Sequence, residues 1–333
     1  MKVTILDDTY DVVRSLPSAR LMDSHELVVW QDHTKDVQEL VRRLADTEVL
    51  MLLRERTPIG AELLRQLPRL RLITLNGVTP HIDVATCTEL GIAVSTHAYV
   101  STATAELTWA LILMSLRRLP REMASLKQGH WQCAGMGQGL RGKTLGIWGY
   151  GQIGRQVAQF GRCFGMRVGI WSRDSSLVQA RADGFETFSS KEELLGQSDV
   201  LSLHVRLAPQ TQGCLSYADL CRMRPGALLV NTSRARLIED GALVRALQQG
   251  RPAMAAVDVF EEEPMRDTDH PLLHMDNVIC TPHLGYVEID QYDGMYRDQF
   301  ERCLAFFEGR PRHIVNPQVL SCLRVPIAPA QTS

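Results

Sequence analysis

TLGIWGYGQIGR, residues 144–155, reads as a short apolar strand, a glycine-rich turn and the start of an amphipathic helix. Gly149, Gly151 and Gly154 stand in GxGxxG spacing. In a strand–turn–helix frame the first glycine permits the tight turn. The second lets the backbone approach a pyrophosphate, and the third lets helix and strand pack closely. The helix N-terminus adds unpaired N–H groups and a partial positive charge suited to an anion. The same spacing also occurs as a plain structural turn, so the context matters. Val157, Ala158, Phe160 and Gly161 continue a helical apolar stripe, and GMRVGIW (165–171) supplies the next strand. The reading is a dinucleotide site on a βαβ unit.

Working outward, the first hundred residues alternate short strands (3–6, 27–30, 49–53, 72–75, 92–95) with helical segments (37–44, 61–67). This is the pattern of an open, mostly parallel sheet covered by helices. Residues 102–119 read as one unbroken apolar helix ended by Pro120. A second segment (123–129) leads into a Gly-rich stretch (135–142), expected to be a mobile connection. Six strands follow, at 145–148, 168–171, 200–204, 227–231, 255–259 and 278–280, with a helix at 240–249 and another at 287–307. The fold class expected is α/β with two doubly wound parallel-sheet domains.

Composition limits the function. The chain has 333 residues, 45% hydrophobic and 22% charged, with a formal net charge of −2. That suits about two globular domains and gives no reason to expect nucleic-acid or anionic-membrane partners. Its eight cysteines form no CxxC pair, so reduced thiols in a cytoplasmic setting are expected, with no metal site. No apolar run reaches the ~20 residues of a membrane span.

Three candidate chemical groups follow successive strands of the second series, at the sheet edge where ligands bind in open α/β folds. Arg234 lies in NTSRARLIED, Glu263 in DVFEEEP and His283 in TPHLG. Histidine is the natural group to move a proton near pH 7. A carboxylate beside it favours the imidazolium form. An arginine can hold a carboxylate bidentately and polarise a neighbouring carbonyl. A nicotinamide would handle the hydride.

With these segments assembled (GYGQIG, LSLHVRLAPQTQG, LLVNTSRARLI, AAVDVFEEEP and TPHLG), the chain resembles the D-isomer-specific 2-hydroxyacid dehydrogenase family from its first strand to VNP (315–317). The resemblance implies that Arg234 binds the substrate carboxyl and carbonyl, that His283 is the acid/base, and that Glu263 tunes it. Asp258 would contact the nicotinamide amide. Gln152, Ile153, His204 and Thr232 fall on cofactor-binding positions of the same segments. The LNGV loop (75–78) aligns with the loop whose N–H groups hold the substrate carboxylate, with Gly77 and Val78 the residues expected there; Arg54 in LRERTP is expected to face substrate. The resemblance also implies a Rossmann-like nucleotide domain (101–285) inserted into a discontinuous, flavodoxin-like substrate domain (1–100 and 286–333), and a homodimer. Trp131 is either a contact across that dimer or a packed core residue.

One departure bears on the cofactor. The second nucleotide strand ends IWSRD, so Ser172 takes the position of the carboxylate that selects the ribose of NAD, and Arg173 follows. Loss of that carboxylate, with an arginine beside it, modestly favours NADP; the other reading is that Asp174 contacts the ribose. The function expected is interconversion of a small 2-keto acid and a D-2-hydroxy acid with NAD(P)H. The alternative is a redox-sensing, corepressor-like NAD(H)-binding protein on the same fold.

Overall fold

The computed structural model describes residues 1–97 and 102–325, which divide into two units. One unit takes 1–97 with 289–325, and the other takes 102–288. The boundary expected between residues 100 and 101 lies outside the described residues.

In the first unit, β1 (Lys2–Ile5), β2 (Glu26–Val29), β3 (Val49–Leu52), β4 (Leu72–Asn76) and β5 (Ala93–His97) form an all-parallel sheet in the order β2-β1-β3-β4-β5. Its helices include α1 (Val37–Leu44), α2 (Ala61–Leu64) and α3 (Val84–Glu89). Asp36 and Asp83 begin α1 and α3 by accepting from the N–H groups of Glu39 and Thr86, the usual remedy for unpaired donors at a helix start. β3 and β4 are buried along their whole length, as expected of parallel strands covered on both faces.

The second unit opens with α4 (Ala103–Leu116) and α5 (Leu119–Lys127). Two helices replace the single one expected, and Pro120 lies in the first turn of the second instead of ending the first. Its fixed φ and missing N–H are tolerated in a first helical turn, while Arg118 makes the break in a left-handed conformation (φ 54°). The Gly-rich stretch that follows carries no regular element, but it is tied back by the Arg118 guanidinium to the Ala134 carbonyl and by Gln138 N–H to the Leu116 carbonyl.

The sheet of this unit contains β6 (Thr144–Trp148), β7 (Arg167–Trp171), β8 (Glu186–Thr187), β9 (Val200–Leu203), β10 (Leu228–Asn231), β11 (Met254–Val257) and β12 (Val278–Cys280). Between them run α6 (Gln152–Cys163), α7 (Asp174–Ala182), α8 (Lys191–Gln197), α9 (Tyr217–Arg222) and α10 (Ala242–Gln248). The order is β12-β11-β10-β9-β6-β7-β8, all parallel. Counted from β6 this is 3-2-1-4-5-6-7, the doubly wound dinucleotide-binding order with one strand added. Among the described residues this sheet has seven strands where six were expected. The extra one, β8, is two polar residues long and pairs only with β7 at the edge, so it gives no apolar signal.

The chain then returns to the first unit as α11 (Ile289–Phe307), which packs on β4: Thr74 Oγ1 donates to Gln299 Oε1, and Asn76 Nδ2 to the Met295 carbonyl. Beyond it, buried Asn316 accepts from Val94 N–H and donates to the Ile92 carbonyl. Among the described residues no helix is long and apolar enough to cross a membrane.

Candidate active site

The glycine turn between β6 and α6 shows three different demands. Gly149 has φ +99°, and a Cβ there would lie 2.5 Å from the His204 carbonyl oxygen. A Cβ on Gly154 would lie 2.1 Å from the Gly149 carbonyl oxygen. The protein itself therefore excludes side chains at both. Gly151, at the N-cap of α6, is different: nothing lies within 4 Å of its Cβ position. That open space sits before the first turn of a twelve-residue helix, whose opening residues Gln152 and Ile153 have N–H groups without intrahelical partners. Space, donors and helix dipole together fit a pyrophosphate.

At the exit of β7, Ser172 Oγ accepts from Tyr150 N–H at 3.4 Å, and Gly149 N–H donates to the Trp171 carbonyl at 2.9 Å. The strand end and the glycine turn are thus one connected structure. Arg173 and Asp174 are exposed at the start of α7, and among the described residues neither has an ion pair. His204, at the exit of β9, lies beneath the turn; its Nε2 is 2.9 Å from Ser202 Oγ, and burial pulls its pKa down to about 3. It is a neutral ring at physiological pH. Thr232, at the exit of β10, is buried with its hydroxyl 2.8 Å from that of Thr108 on α4. Thr108 also donates to the Thr104 carbonyl, and Thr104 to the Gly285 carbonyl. Thr104 and Thr108 were not anticipated, because an apolar helical pattern hides which of its threonines faces a sheet edge.

The exits of β10, β11 and β12 carry the three chemical groups. Arg234 is half-buried. Its carbonyl accepts from Asn231 Nδ2, and its Nη1 donates to the Ser233 carbonyl. Glu263 Oε1 accepts from Phe260 N–H at 2.9 Å, and Oε2 lies 2.5 Å from His283 Nδ1. Burial works to raise the Glu263 pKa. The His283 hydrogen bond and charge, the Phe260 N–H and the Arg234 charge outweigh it and hold the carboxyl below the ordinary glutamate range. An ionised acceptor at Nδ1 leaves Nε2 as the histidine nitrogen able to exchange a proton with another molecule. The two side chains are 28% and 33% exposed, so that nitrogen is within reach of solvent or ligand.

Asp258, at the exit of β11, is fully buried and pushed upward by burial, against three hydrogen bonds. Oδ1 accepts from Thr281 Oγ1 (2.6 Å) and Leu284 N–H (2.8 Å), and Oδ2 from Gly285 N–H (2.8 Å). These donors flank His283, which itself has φ 55°. Asp258 therefore shapes the loop that carries the histidine, a task its residue type alone did not reveal.

The remaining candidates belong to the first unit. Arg54 follows β3 with φ 61° and is half-buried. Gly77 follows β4 with φ 121°, which requires glycine, and its N–H is already donated to the His97 carbonyl at 3.1 Å. Among the described residues the N–H groups this loop leaves without a partner are those of Val78 and Thr79, where Gly77 and Val78 were expected.

A family profile described as D-isomer specific 2-hydroxyacid dehydrogenase, NAD binding domain, matches residues 109–285. The chain is 38% identical over 309 residues to a glyoxylate reductase of Aeropyrum pernix, covering 89% of this chain and 91% of that one. Among solved structures it is similar to an oxidoreductase from Ralstonia solanacearum, with TM-score 0.90, 46% identity and coverage of 96% and 98%. It is also similar to a D-lactate dehydrogenase from Aquifex aeolicus complexed with NAD and lactic acid, with TM-score 0.75, 27% identity and coverage of 93% and 96%.

Proposed function

The chain belongs to the D-isomer-specific 2-hydroxyacid dehydrogenase family, nicotinamide-dependent oxidoreductases acting on CH–OH donors, and on that premise we propose that it interconverts a small 2-keto acid and the corresponding D-2-hydroxy acid. The observation that carries the reading is the Glu263–His283 pair, with the Arg234 charge acting on Glu263, on successive strand exits of the sheet that holds the glycine turn. When bound, the nicotinamide supplies or takes up the hydride. His283 Nε2 gives a proton to the carbonyl oxygen in reduction and removes it in oxidation. Glu263 fixes the ring through Nδ1. Arg234 holds the substrate carboxylate and polarises the carbonyl. Within the first unit, the N–H groups of Val78 and Thr79, in the loop shaped by Gly77, are read as carboxylate-binding, and Arg54 as substrate-binding.

On the cofactor, Gly149, Gly151, Gln152, Ile153 and Gly154 hold the pyrophosphate. His204, Thr232 and Asp258 line the strand exits that follow. Ser172 and Arg173 favour NADP: no carboxylate repels a 2′-phosphate at this position, and Arg173 has no other ionic partner among the described residues. Glyoxylate and hydroxypyruvate are the first substrates to try. A homodimer is the assembly we favour, because α5 and the stretch after it expose Leu119, Met123, Leu126, Trp131 and Met136. Its eight free cysteines suit the reducing cytoplasm. No observation favours the redox-sensing reading.

The test is turnover. NADH and NADPH are followed separately against a panel of 2-keto acids. Reduction of at least one, with higher kcat/KM for NADPH, is the expected result. Tight cofactor binding with no turnover on any panel member would refute the enzymatic reading, and equal or better efficiency with NADH would refute the cofactor preference.

A further inference from the structure

Arg302, on α11, is 2% exposed although it carries a full charge. Its guanidinium is used on every side. Nε donates to Asp298 Oδ2 (3.0 Å), and Nη1 to Ser95 Oγ on β5 (2.8 Å). Nη2 donates to the Leu75 carbonyl (2.9 Å) and to Asn76 Oδ1 (2.7 Å), both at the exit of β4. Asn76 is held a second time, through Nδ2, by the Met295 carbonyl of α11. Asp298 reaches the same neighbourhood through its other oxygen, 3.1 Å from His97 Nδ1, and the His97 carbonyl takes the Gly77 N–H. The last two residues of β4, immediately before the loop, are therefore moored to one helix by one planar fork.

Burying a guanidinium is costly unless each donor is met. A sheet edge needing only packing would be served by an apolar side chain of similar size. We propose that Arg302 is a positioning residue for the substrate carboxylate: it fixes Leu75 and Asn76 so that the N–H groups of Val78 and Thr79 keep one arrangement. This rests on the reading that those two N–H groups hold the carboxylate. It explains why the support comes from arginine, since a lysine ammonium cannot span four acceptors in a fixed plane.

The experiment uses the full-length enzyme, the best 2-keto acid of the panel and oxamate as a non-reducible mimic. Arg302→Met is expected to raise KM, and to weaken calorimetric oxamate binding to the enzyme–cofactor complex, by about 10- to 100-fold, the scale of a small misplacement transmitted from outside the reacting centre. Cofactor affinity should be unchanged, and Arg302→Lys should recover only part of the loss. Unchanged KM and oxamate affinity in folded variants would overturn the proposal, as would a parallel loss of cofactor affinity. If the Arg302 variants do not fold, Asn76→Ala removes the loop side of the mooring, with the same rise supporting and an unchanged KM opposing. Val78→Pro deletes a loop N–H and separates the two readings. A rise there without one in the Arg302 variants would retain the loop and refute its positioning by Arg302. No rise in Val78→Pro would refute the loop reading and this proposal with it.

Discussion

His283 Nδ1 lies 2.5 Å from Glu263 Oε2, across loops that leave the neighbouring parallel strands β12 and β11. The contact assigns the two ring nitrogens different work: one is held by the protein and the other is available to a substrate.

Replacing the ring should remove the proton step while leaving the nucleotide site intact. His283→Ala is expected to lower kcat/KM by about 10²–10⁴ with cofactor affinity unchanged. Glu263→Gln keeps an acceptor at Nδ1 but deletes the charge that holds the ring, so kcat should fall with cofactor affinity unchanged. In the parent, Glu263 is held below the ordinary range, so its charge should persist as the pH falls through about 4.3. A fully active His283→Ala enzyme, or a Glu263→Gln enzyme with the parent's kcat, would contradict the assignment.

The glycine turn offers a sharper contrast, because its members are needed for different reasons. At Gly154 a methyl would meet the Gly149 carbonyl oxygen at 2.1 Å, so Gly154→Ala should lower Tm without any ligand present. At Gly151 the protein offers no obstacle, so Gly151→Ala should keep the parent Tm and lose about tenfold or more in cofactor affinity, roughly 1.4 kcal/mol. Thermal scans with and without cofactor decide this. A destabilised Gly151→Ala protein with normal affinity would show that the open space is not a phosphate site.

Asp258 meets three donors with two oxygens, and an amide at the same place has one acceptor oxygen. Asp258→Asn should leave at least one buried donor unmet, at about 1–3 kcal/mol. The damage should be local to the histidine loop. Hydrogen exchange at the amides of Leu284 and Gly285 should quicken and kcat should fall, while exchange in β6 and β9 stays slow. Unchanged exchange at those two amides would refute the clamp.

His204 gives a pH dependence of stability with a definite sign. In the unfolded chain it binds a proton below about 6.5; in the folded protein burial delays this until about 3. Between those values the unfolded chain holds the extra proton, so stability falls as the pH is lowered from about 6.5 towards 3. In His204→Asn this contribution is absent, and the decline in Tm between pH 6.5 and 4 should be shallower than in the parent. Parallel curves would mean that His204 is not the group responsible.

Much of the fold was legible because apolar strand runs and glycine punctuation are local signals. β6, the glycine turn and α6 occupy the residues read for them, and so do the strands that carry Arg234 and His283. What escaped notice was either too short or too distant. β8 is two polar residues whose pairing is dictated by β7 rather than by their own composition. Pro120 is compatible with the end of one helix or the start of another, and only the left-handed Arg118 before it settles which. At the candidate site, residue type suggested Arg234, Glu263 and His283 but not how Asp258 is spent, nor that the Gly77 N–H is already taken by β5. Arg302 was invisible because it meets Leu75 and Asn76 more than two hundred positions away, and no periodicity links them.

Because the first unit draws α11 and Asn316 from the far end of the chain, its β4 and β5 cannot be completed when they are first made. On the ribosome the second unit, which is continuous in sequence, has all its strands available before the supports of the first emerge. The order of folding should therefore run against the order of synthesis, with residues 1–97 waiting on residues 289–325.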